Sequence, residues 1–287
     1  MPDARHLILT FSCPDIAGIQ AAVTSCLFQV GAFIEEAASF GDAENKRFFG
    51  RIVIRSNTEN PLEAQSLRAD LSLVAGRLDM SWELNDAGQR CPTVIAVSRQ
   101  GHCLNDLLHR VSTGALNIDV KAVVSNHDEM RRLVEWHGLP YYHLPVTRDT
   151  KAEQERAFMK IIDEAGAELV VLARYMQILS TDFASKLAGR CINIHHSFLP
   201  SFKGARPYHQ AHLRGVKIIG ATAHYVSTDL DEGPIIEQGV ERVDHGMSAD
   251  DFVEVGRDIE CSVLARAVRW HAERRVLVSG QRTIVFR

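Results

Sequence analysis

The amino-acid sequence predicts an α/β protein in which a βαββαβ unit of the ferredoxin-like kind precedes a doubly wound, mostly parallel domain of the Rossmann-like kind. Its 287 residues, 46% of them hydrophobic, can bury the cores of two domains. The order of strand-like and helix-like segments changes near residue 92. Beyond that point, continuous apolar runs such as Leu169–Leu172 are typical of parallel strands buried on both faces.

The first part of the chain contains six short segments with regular periodicity. They are a strand at 6–11, a helix at 16–30, strands at 33–40 and 48–54, a helix at 61–74 and a strand at 78–84. This order closes into a small antiparallel sheet with two helices on one face. A polar stretch with Gly88 follows it. We therefore predict a first domain at 1–85, a linker at 86–92 and a second domain at 93–287.

The second part alternates strands with helices and shows no internal repeat. The strands are expected at 94–97, 120–124, 141–144, 169–172, 191–196, 217–226 and 235–240, and the helices at 104–111, 130–137, 152–165, 181–187, 208–214 and 249–273. Such alternation predicts a parallel sheet covered by helices on both faces. Ligands of these sheets bind at the carboxyl ends of the strands.

Charge and cysteine usage point to a small-molecule partner in a reducing compartment. The formal net charge of -4 is spread over interspersed acids and bases, so we expect neither nucleic acid nor membrane as a partner. The six cysteines are far apart and form no C-x-x-C pair. The sequence contains no signal-peptide core and no apolar stretch of about 18 residues. A cytoplasmic location is therefore expected.

Two polar residues interrupt the apolar strand at 191–196. The period of two puts Asn193 and His195 on one face of that strand, at its carboxyl end. The amide N–H of Asn193 and a ring N–H of His195 can both donate to an oxygen that becomes negative when a carbonyl turns tetrahedral. Polar pairs on buried strands are also often satisfied by core hydrogen bonds, so spacing alone leaves both readings open.

The segment TDLDEGP at 228–234 offers a third group. It places Asp231 in a turn just after a long strand that should lie beside the strand of Asn193. A carboxylate near an imidazole can keep the ring protonated, orient it and accept a proton from water. The alternative is structural, because Asp and Gly favour turns for backbone reasons.

Three segments together resemble the signature of the folate-dependent formyltransferase family. They are NIH at 193–195, SFLPSFKG at 197–204 and DEGPII at 231–236, and the similarity extends from about residue 94 to residue 243. The resemblance implies that Asn193, His195 and Asp231 form the catalytic trio. It also implies 10-formyltetrahydrofolate as the substrate, with no permanently bound cofactor.

The family's folate pocket implies further binding residues here. The loop LARYMQIL at 172–179 and the turn around 226–231 correspond to two of its walls. Met176, Gln177, Leu179 and Val226 are the folate-binding candidates that follow from the resemblance. As an alternative, Met176 and Leu179 are simply core residues.

Other segments distinguish among members of the family. The first domain, with CPDIAGI at 13–19, resembles an ACT domain, which the hydrolytic member carries in front. SRQGHCL stands at 98–104, where glycinamide ribonucleotide transformylases have a Gly-rich phosphate cradle. Methionyl-tRNA formyltransferases end in a nucleic-acid-binding extension, and because no basic tail follows the long helix here, a tRNA substrate is not expected. The chain thus resembles most the member in which water replaces the amine acceptor.

The resemblance implies hydrolysis of 10-formyltetrahydrofolate to tetrahydrofolate and formate. This reaction balances the one-carbon folate pool and supplies formate for purine synthesis. One alternative is formyl transfer to an amine, which needs an acceptor pocket near 98–102. The other is a non-enzymatic folate or amino-acid sensor that retains the fold.

The ACT resemblance also implies regulation. An amino-acid effector is expected near the turn that contains Asp15 and Gly18, together with Ile19, at an interface between copies of the chain. A homo-oligomer, either a dimer or a tetramer, is therefore expected. Alternatively, the first domain is only a structural appendage.

Histidines outside the trio have simpler interpretations. His196 stands where many relatives have proline, and we interpret it as a packing residue. His209 and His212 have the spacing of metal ligands on a helix, but no carboxylate or cysteine at ligand spacing completes the set. No metal site is predicted.

Overall fold

The computed structural model describes residues 6–56, 64–199 and 207–287 and divides the chain into two compact units. Unit 1 comprises Met1–Arg90, Glu273–Leu277 and Ile284–Arg287, and unit 2 comprises Cys91–Ala272 and Val278–Thr283. The first division falls within the predicted linker at 86–92. The second domain differs from the predicted 93–287, because two C-terminal segments belong to unit 1.

Unit 1 has the βαββαβ order that the sequence predicts. Its elements are β1 (His6–Pro14), α1 (Ile19–Gln29), β2 (Phe33–Asp42), β3 (Arg47–Arg55), α2 (Ala64–Leu78) and β4 (Ser81–Asp86). The beginning of the predicted helix at 61–74 lies outside the described residues. The strands form an antiparallel sheet in the order β2-β3-β1-β4. This arrangement confirms the ferredoxin-like expectation.

Both helices of unit 1 cover one face of its sheet. Val23 of α1 and Leu71 of α2 are fully buried in one core with Leu9 of β1 and Ile54 of β3. Along β1, buried residues recur at every second position of the strand from Leu7 to Cys13, which is the period of a strand with one face on a core. Each element thus buries the face that its sequence periodicity indicates.

Charged contacts explain why C-terminal segments belong to unit 1. The guanidinium of Arg51, which is only 2% exposed, donates to the carbonyl of Glu273 at 3.2 and 3.1 Å. Arg275 Nη1 lies 3.1 Å from Glu36 Oε1 on β2. Both contacts join residues more than 200 positions apart in sequence, so no local pattern indicates them.

Unit 2 alternates strands and helices, as predicted. Its elements are β5 (Cys91–Val97), α3 (His102–Ser112), β6 (Ile118–Ser125), α4 (Arg131–Trp136), β7 (Tyr141–His143), α5 (Lys151–Glu164), β8 (Leu169–Leu172), α6 (Thr181–Lys186), β9 (Cys191–His195), α7 (Pro207–Arg214), β10 (Ile218–Tyr225), β11 (Ile235–Arg242) and α8 (Ala249–Ala272). A hairpin of β12 (Val276–Ser279) and β13 (Arg282–Val285), which the sequence analysis did not predict, follows α8.

The sheet of unit 2 has the order β11-β10-β9-β8-β5-β6-β7. Strands β9, β8, β5, β6 and β7 are parallel, whereas β10 pairs antiparallel with both β9 and β11. From β5 the chain first builds outward through β6 and β7 and then returns to build β8 and β9 on the other side. The reversal between β5 and β8 is the switch point at which doubly wound sheets bind ligands.

Helices pack against both faces of this sheet. Phe158 of α5 and Phe183 of α6 are buried against Val94 and Val170 on one face. On the opposite face, α8 packs against α3 and against strands β9, β10 and β11. Ser248 caps the amino end of α8. Its backbone N–H donates to Asp251 Oδ2, and the N–H of Asp251 donates to Ser248 Oγ.

Among the described residues, the helices are either too short or too polar to cross a lipid bilayer.

Candidate functional site

Strand β9 presents Asn193 and His195 on the same face, at the carboxyl end of the sheet. Ile192 and Ile194 alternate with them and are buried on the other face. This period of two is the geometry that the sequence predicts. His195 is almost completely enclosed, with 8% of its surface exposed, and its Nε2 is buried without a hydrogen-bond partner among the described residues.

Asp231 approaches His195 from the turn that follows β10. Its Oδ2 atom lies 3.3 Å from Nδ1 of His195. The residue has a φ of 57°, a left-handed conformation that Asp adopts more readily than most residues with a side chain. Because β10 pairs antiparallel with β9 and Tyr225 lies opposite Ile192, the turn after β10 begins beside the amino end of β9. The structure thus brings all three predicted trio residues together.

His224 is a fourth polar residue at this position, and the sequence analysis did not identify it. It lies directly opposite Asn193 in the β9–β10 pair, and its Nε2 is 3.2 Å from Asn193 Nδ2. Its Nδ1 is 2.9 Å from the carbonyl of Tyr225, which can only accept, so Nδ1 carries the proton. Nε2 of the neutral ring therefore accepts from the amide of Asn193. This bond fixes the orientation of that amide.

The charges in the site favour an ionised Asp231 and a neutral His224. Burial raises the pKa of Asp231, but the hydrogen bond and charge of His195 outweigh it, so the pKa lies below its usual value. Burial is the largest influence on His224 and lowers its pKa. The carboxylate is thus available as a base at neutral pH.

These side chains open into a cavity of about 330 Å³. The size is at the lower end of the range for small-molecule sites. All four predicted folate-binding residues, Met176, Gln177, Leu179 and Val226, line the same cavity as the trio. Met176 is 55% exposed, which does not fit the alternative of a core residue, whereas Leu179 also packs against the core of unit 2.

Two residues that the sequence analysis did not propose for the site, Arg174 and His196, also line this cavity. The ring of His196 stacks on that of His195 with centroids 5.0 Å apart. Burial, followed by the charge of Arg174, lowers the pKa of His196 to about 4, so this ring is neutral at neutral pH. An arginine two residues after the continuous apolar run at 169–172 is a sequence signal that could have identified Arg174.

The expected effector residues lie in unit 1, at the turn between β1 and α1. Asp15 and Gly18 are exposed there, and Gly18 precedes the helix with a φ of 91°. Ile19 is 2% exposed and belongs to the core of unit 1. The exposed part of this turn therefore runs from Asp15 to Gly18 and excludes the side chain of Ile19. Of the SFLPSFKG motif at 197–204, residues 200–204 lie outside the described residues.

In the described part of the chain, His212 and one His-Cys-Glu cluster carry ligand-type atoms that already contact other protein groups. His212 is already engaged, since its Nε2 lies 3.1 Å from the carbonyl of Met247. Ligand-type atoms of His102, Cys103 and Glu260 lie within 4.8 Å of one another. Arg174 Nε lies 3.3 Å from the carboxylate of Glu260, so a protein cation already neutralises this group.

Gly233 allows the turn of Asp231 to pack against β10. A Cβ atom at this position would lie 1.8 Å from the carbonyl oxygen of Tyr225. We expect Gly233→Ala to lower the free energy of unfolding by about 1–3 kcal/mol, because the backbone must move to relieve the overlap. Urea denaturation measures this change. The control is Gly76→Ala on α2, where no atom lies within 4 Å of the added Cβ. Equal stability of the two variants would contradict the prediction.

Comparisons with known proteins relate this chain to one family. Residues 92–268 match the formyl transferase family model. The formyltetrahydrofolate deformylase of Corynebacterium sp. (strain P-1) is 51% identical over 99% of this chain and 98% of its own length, and that of Bacillus subtilis (strain 168) is 47% identical over 97% and 93%. The crystal structure of formyltetrahydrofolate deformylase from Burkholderia mallei ATCC 23344 covers 99% of this chain and 100% of its own, with 50% identity and a TM-score of 0.94. These similarities confirm the resemblance seen in the motifs, and the chain belongs to the formyl transferase family and, within it, to the formyltetrahydrofolate deformylases.

Proposed function

We propose that this protein hydrolyses 10-formyltetrahydrofolate to tetrahydrofolate and formate. The observation that carries this proposal is the convergence of Asn193, His195 and Asp231 in one cavity, with Asp231 Oδ2 3.3 Å from His195 Nδ1. The deformylase relatives, which match almost the whole chain, favour hydrolysis over formyl transfer to an amine.

Asp231 is the base that activates water in this mechanism. One carboxylate oxygen contacts His195, while the other, Oδ1, is 3.8 Å from His224 Nε2, beyond hydrogen-bond distance. Oδ1 can therefore accept a proton from a water molecule that attacks the formyl carbon. The low pKa of Asp231 supports this role, since the carboxylate is ionised before the reaction begins.

Asn193 and His195 stabilise the oxyanion of the tetrahedral intermediate. Asn193 uses one amide proton for His224, which leaves the second for the formyl oxygen. In the protonated ring of His195, Nδ1–H faces Asp231, and Nε2–H remains for the same oxygen. When the intermediate collapses, the bond between the formyl carbon and N10 breaks. N10 takes up one proton, so the reaction consumes one water and requires no other reactant.

Met176, Gln177, Leu179 and Val226 are proposed to bind the folate. They form the wall of the cavity supplied by the loop after β8 and the end of β10. Met176 and Leu179 offer apolar surface to a flat heterocycle, and Gln177 offers both a donor and an acceptor. No permanently bound cofactor enters this mechanism.

Formate release from purified protein tests the function directly. The protein is mixed with 10-formyltetrahydrofolate in the absence of any amine, and formate is measured by a coupled formate dehydrogenase assay. We expect multiple turnovers, with one formate per tetrahydrofolate formed. Formation of tetrahydrofolate without formate, and only after addition of an amine-containing cell extract, would support formyl transfer, and no tetrahydrofolate under either condition would leave a sensor as the better account.

We also propose how the protein is regulated, how it assembles and where it is located. An amino-acid effector bound near Asp15 and Gly18, at an interface of a dimer or tetramer, is supported by the ferredoxin-like fold of unit 1 and the exposure of that turn. A cytoplasmic location is supported by the six cysteines, all of them free thiols and five of them buried.

A further inference from the structure

The crevice at the switch point of the unit 2 sheet is closed by the protein itself. The loops after β5 and β8, which border this crevice, are hydrogen-bonded to each other. The backbone N–H of Ser98 donates to the carbonyl of Arg174 at 3.1 Å, and the N–H of Met176 donates to Ser98 Oγ at 2.9 Å. A doubly wound sheet normally offers this crevice to a ligand. Here the folate cavity lies to one side of it, along β8, β9 and β10.

Arg174 occupies the crevice between the two loops. Its Nε and Nη2 donate to Gln100 Oε1 at 3.1 and 2.8 Å, and only 8% of the residue is exposed. Its φ of 64° lies in the left-handed region that favours glycine. Outliers of this kind persist only where the surroundings hold them, and they cluster at functional sites. The position thus carries a large cation where the backbone favours the smallest residue.

Glu260 of α8 forms an ion pair with Arg174. Its carboxylate is 1% exposed and lies 3.3 Å from Arg174 Nε and 2.7 Å from His102 Nε2. The hydroxyl of Tyr208 donates to the other carboxylate oxygen at 2.8 Å. Gly256, one turn earlier on α8, makes room for this ring, since a Cβ there would lie 2.2 Å from Tyr208 Cζ. We call this cluster of Gln100, His102, Arg174, Tyr208 and Glu260 the switch-point plug.

His196 lies between the switch-point plug and the catalytic residue His195. Arg174 and His196 both line the folate cavity, and the His196 ring contacts both His195 and Tyr208. The segment at 98–102 is also where an amine acceptor would need a pocket. Here the side chain of Gln100 is instead hydrogen-bonded to Arg174, and that of His102 to Glu260.

We propose that the switch-point plug is a specificity determinant that fills the subsite of an amine acceptor, so that water receives the formyl group. This inference rests on the proposed hydrolysis. In hydrolysis, the water oxygen bonds to the formyl carbon, the bond to N10 breaks and a proton reaches N10. In transfer, an amine nitrogen forms the new bond, and its proton reaches N10. The trio serves both reactions equally, so room for the acceptor decides between them.

Arg174→Gly tests the proposal, because glycine adopts the left-handed backbone without strain. The variant is incubated with 10-[¹³C]formyltetrahydrofolate and excess glycinamide, and ¹³C NMR quantifies formate and N-formylglycinamide. We expect the share of N-formylglycinamide to rise by about tenfold or more over wild type. Arg274→Gly is the matched control, since Arg274 also has a positive φ, 53°, but lies in unit 1.

A second variant keeps the test decisive if Arg174→Gly does not fold. Gln100→Ala combined with His102→Ala opens the same crevice and leaves the backbone of Arg174 unchanged. A variant that folds, binds tetrahydrofolate and keeps the wild-type product ratio overturns the proposal. A variant that folds and binds but yields neither product also overturns it, since the plug would then serve catalysis. Failure of the wild type to release formate is a separate result, which contradicts the hydrolysis itself.

Discussion

Asp231→Asn is expected to reduce the rate of formate release by about 10²–10⁴-fold. The amide has almost the same shape as the carboxylate but cannot take a proton from water. It also removes the negative charge that faces Nδ1 of His195 at 3.3 Å. Steady-state formate release gives the rate, and calorimetry with tetrahydrofolate shows whether the site remains intact. We expect the Kd for tetrahydrofolate to change by less than about threefold, because Asp231 acts on water.

Asp258→Asn is the matched control for this substitution. Asp258 has the same side chain, but it is exposed on α8 and is not part of the site. Its variant should release formate at the wild-type rate. If Asp231→Asn also retained a rate within about tenfold of wild type, another group would have to be the base.

The fold followed from sequence where periodicity was strong. The continuous apolar run of β8 and the helical spacing of α8 predicted elements that the structure contains almost to the residue. The C-terminal hairpin was not predicted, because four-residue strands give too short a pattern. The membership of Arg275 in unit 1 depends on an ion pair with Glu36, which local sequence cannot indicate.

The site was predictable where side chains share one strand or one motif. Asn193 and His195 are two residues apart, so strand geometry alone aligns them. His224 was missed because its position opposite Asn193 depends on the register of β9 with β10, which the sequence does not specify. Arg174 was missed for a related reason. Its partner Glu260 is distant in sequence, and only the folded sheet brings the two together.

Asn193→Ala is expected to lower kcat for formate release by about 10²–10³-fold, the usual effect of removing one oxyanion donor. KM for 10-formyltetrahydrofolate should change little, because the lost hydrogen bond strengthens only as the oxyanion forms. Asn193→Asp separates hydrogen bonding from shape. The carboxylate matches the size of the amide but cannot donate to the formyl oxygen or to Nε2 of His224, which lies 3.2 Å from the amide nitrogen.

The two substitutions at Asn193 therefore give a clear decision. If the amide is an oxyanion donor, Asn193→Asp is at least as inactive as Asn193→Ala, since it also places a negative charge beside the developing oxyanion. If Asn193 only fills space, Asn193→Asp retains most of the activity and the oxyanion role is wrong. Asn105→Ala, at an exposed position of α3, controls for the loss of an amide elsewhere. Its kcat and KM should equal those of the wild type.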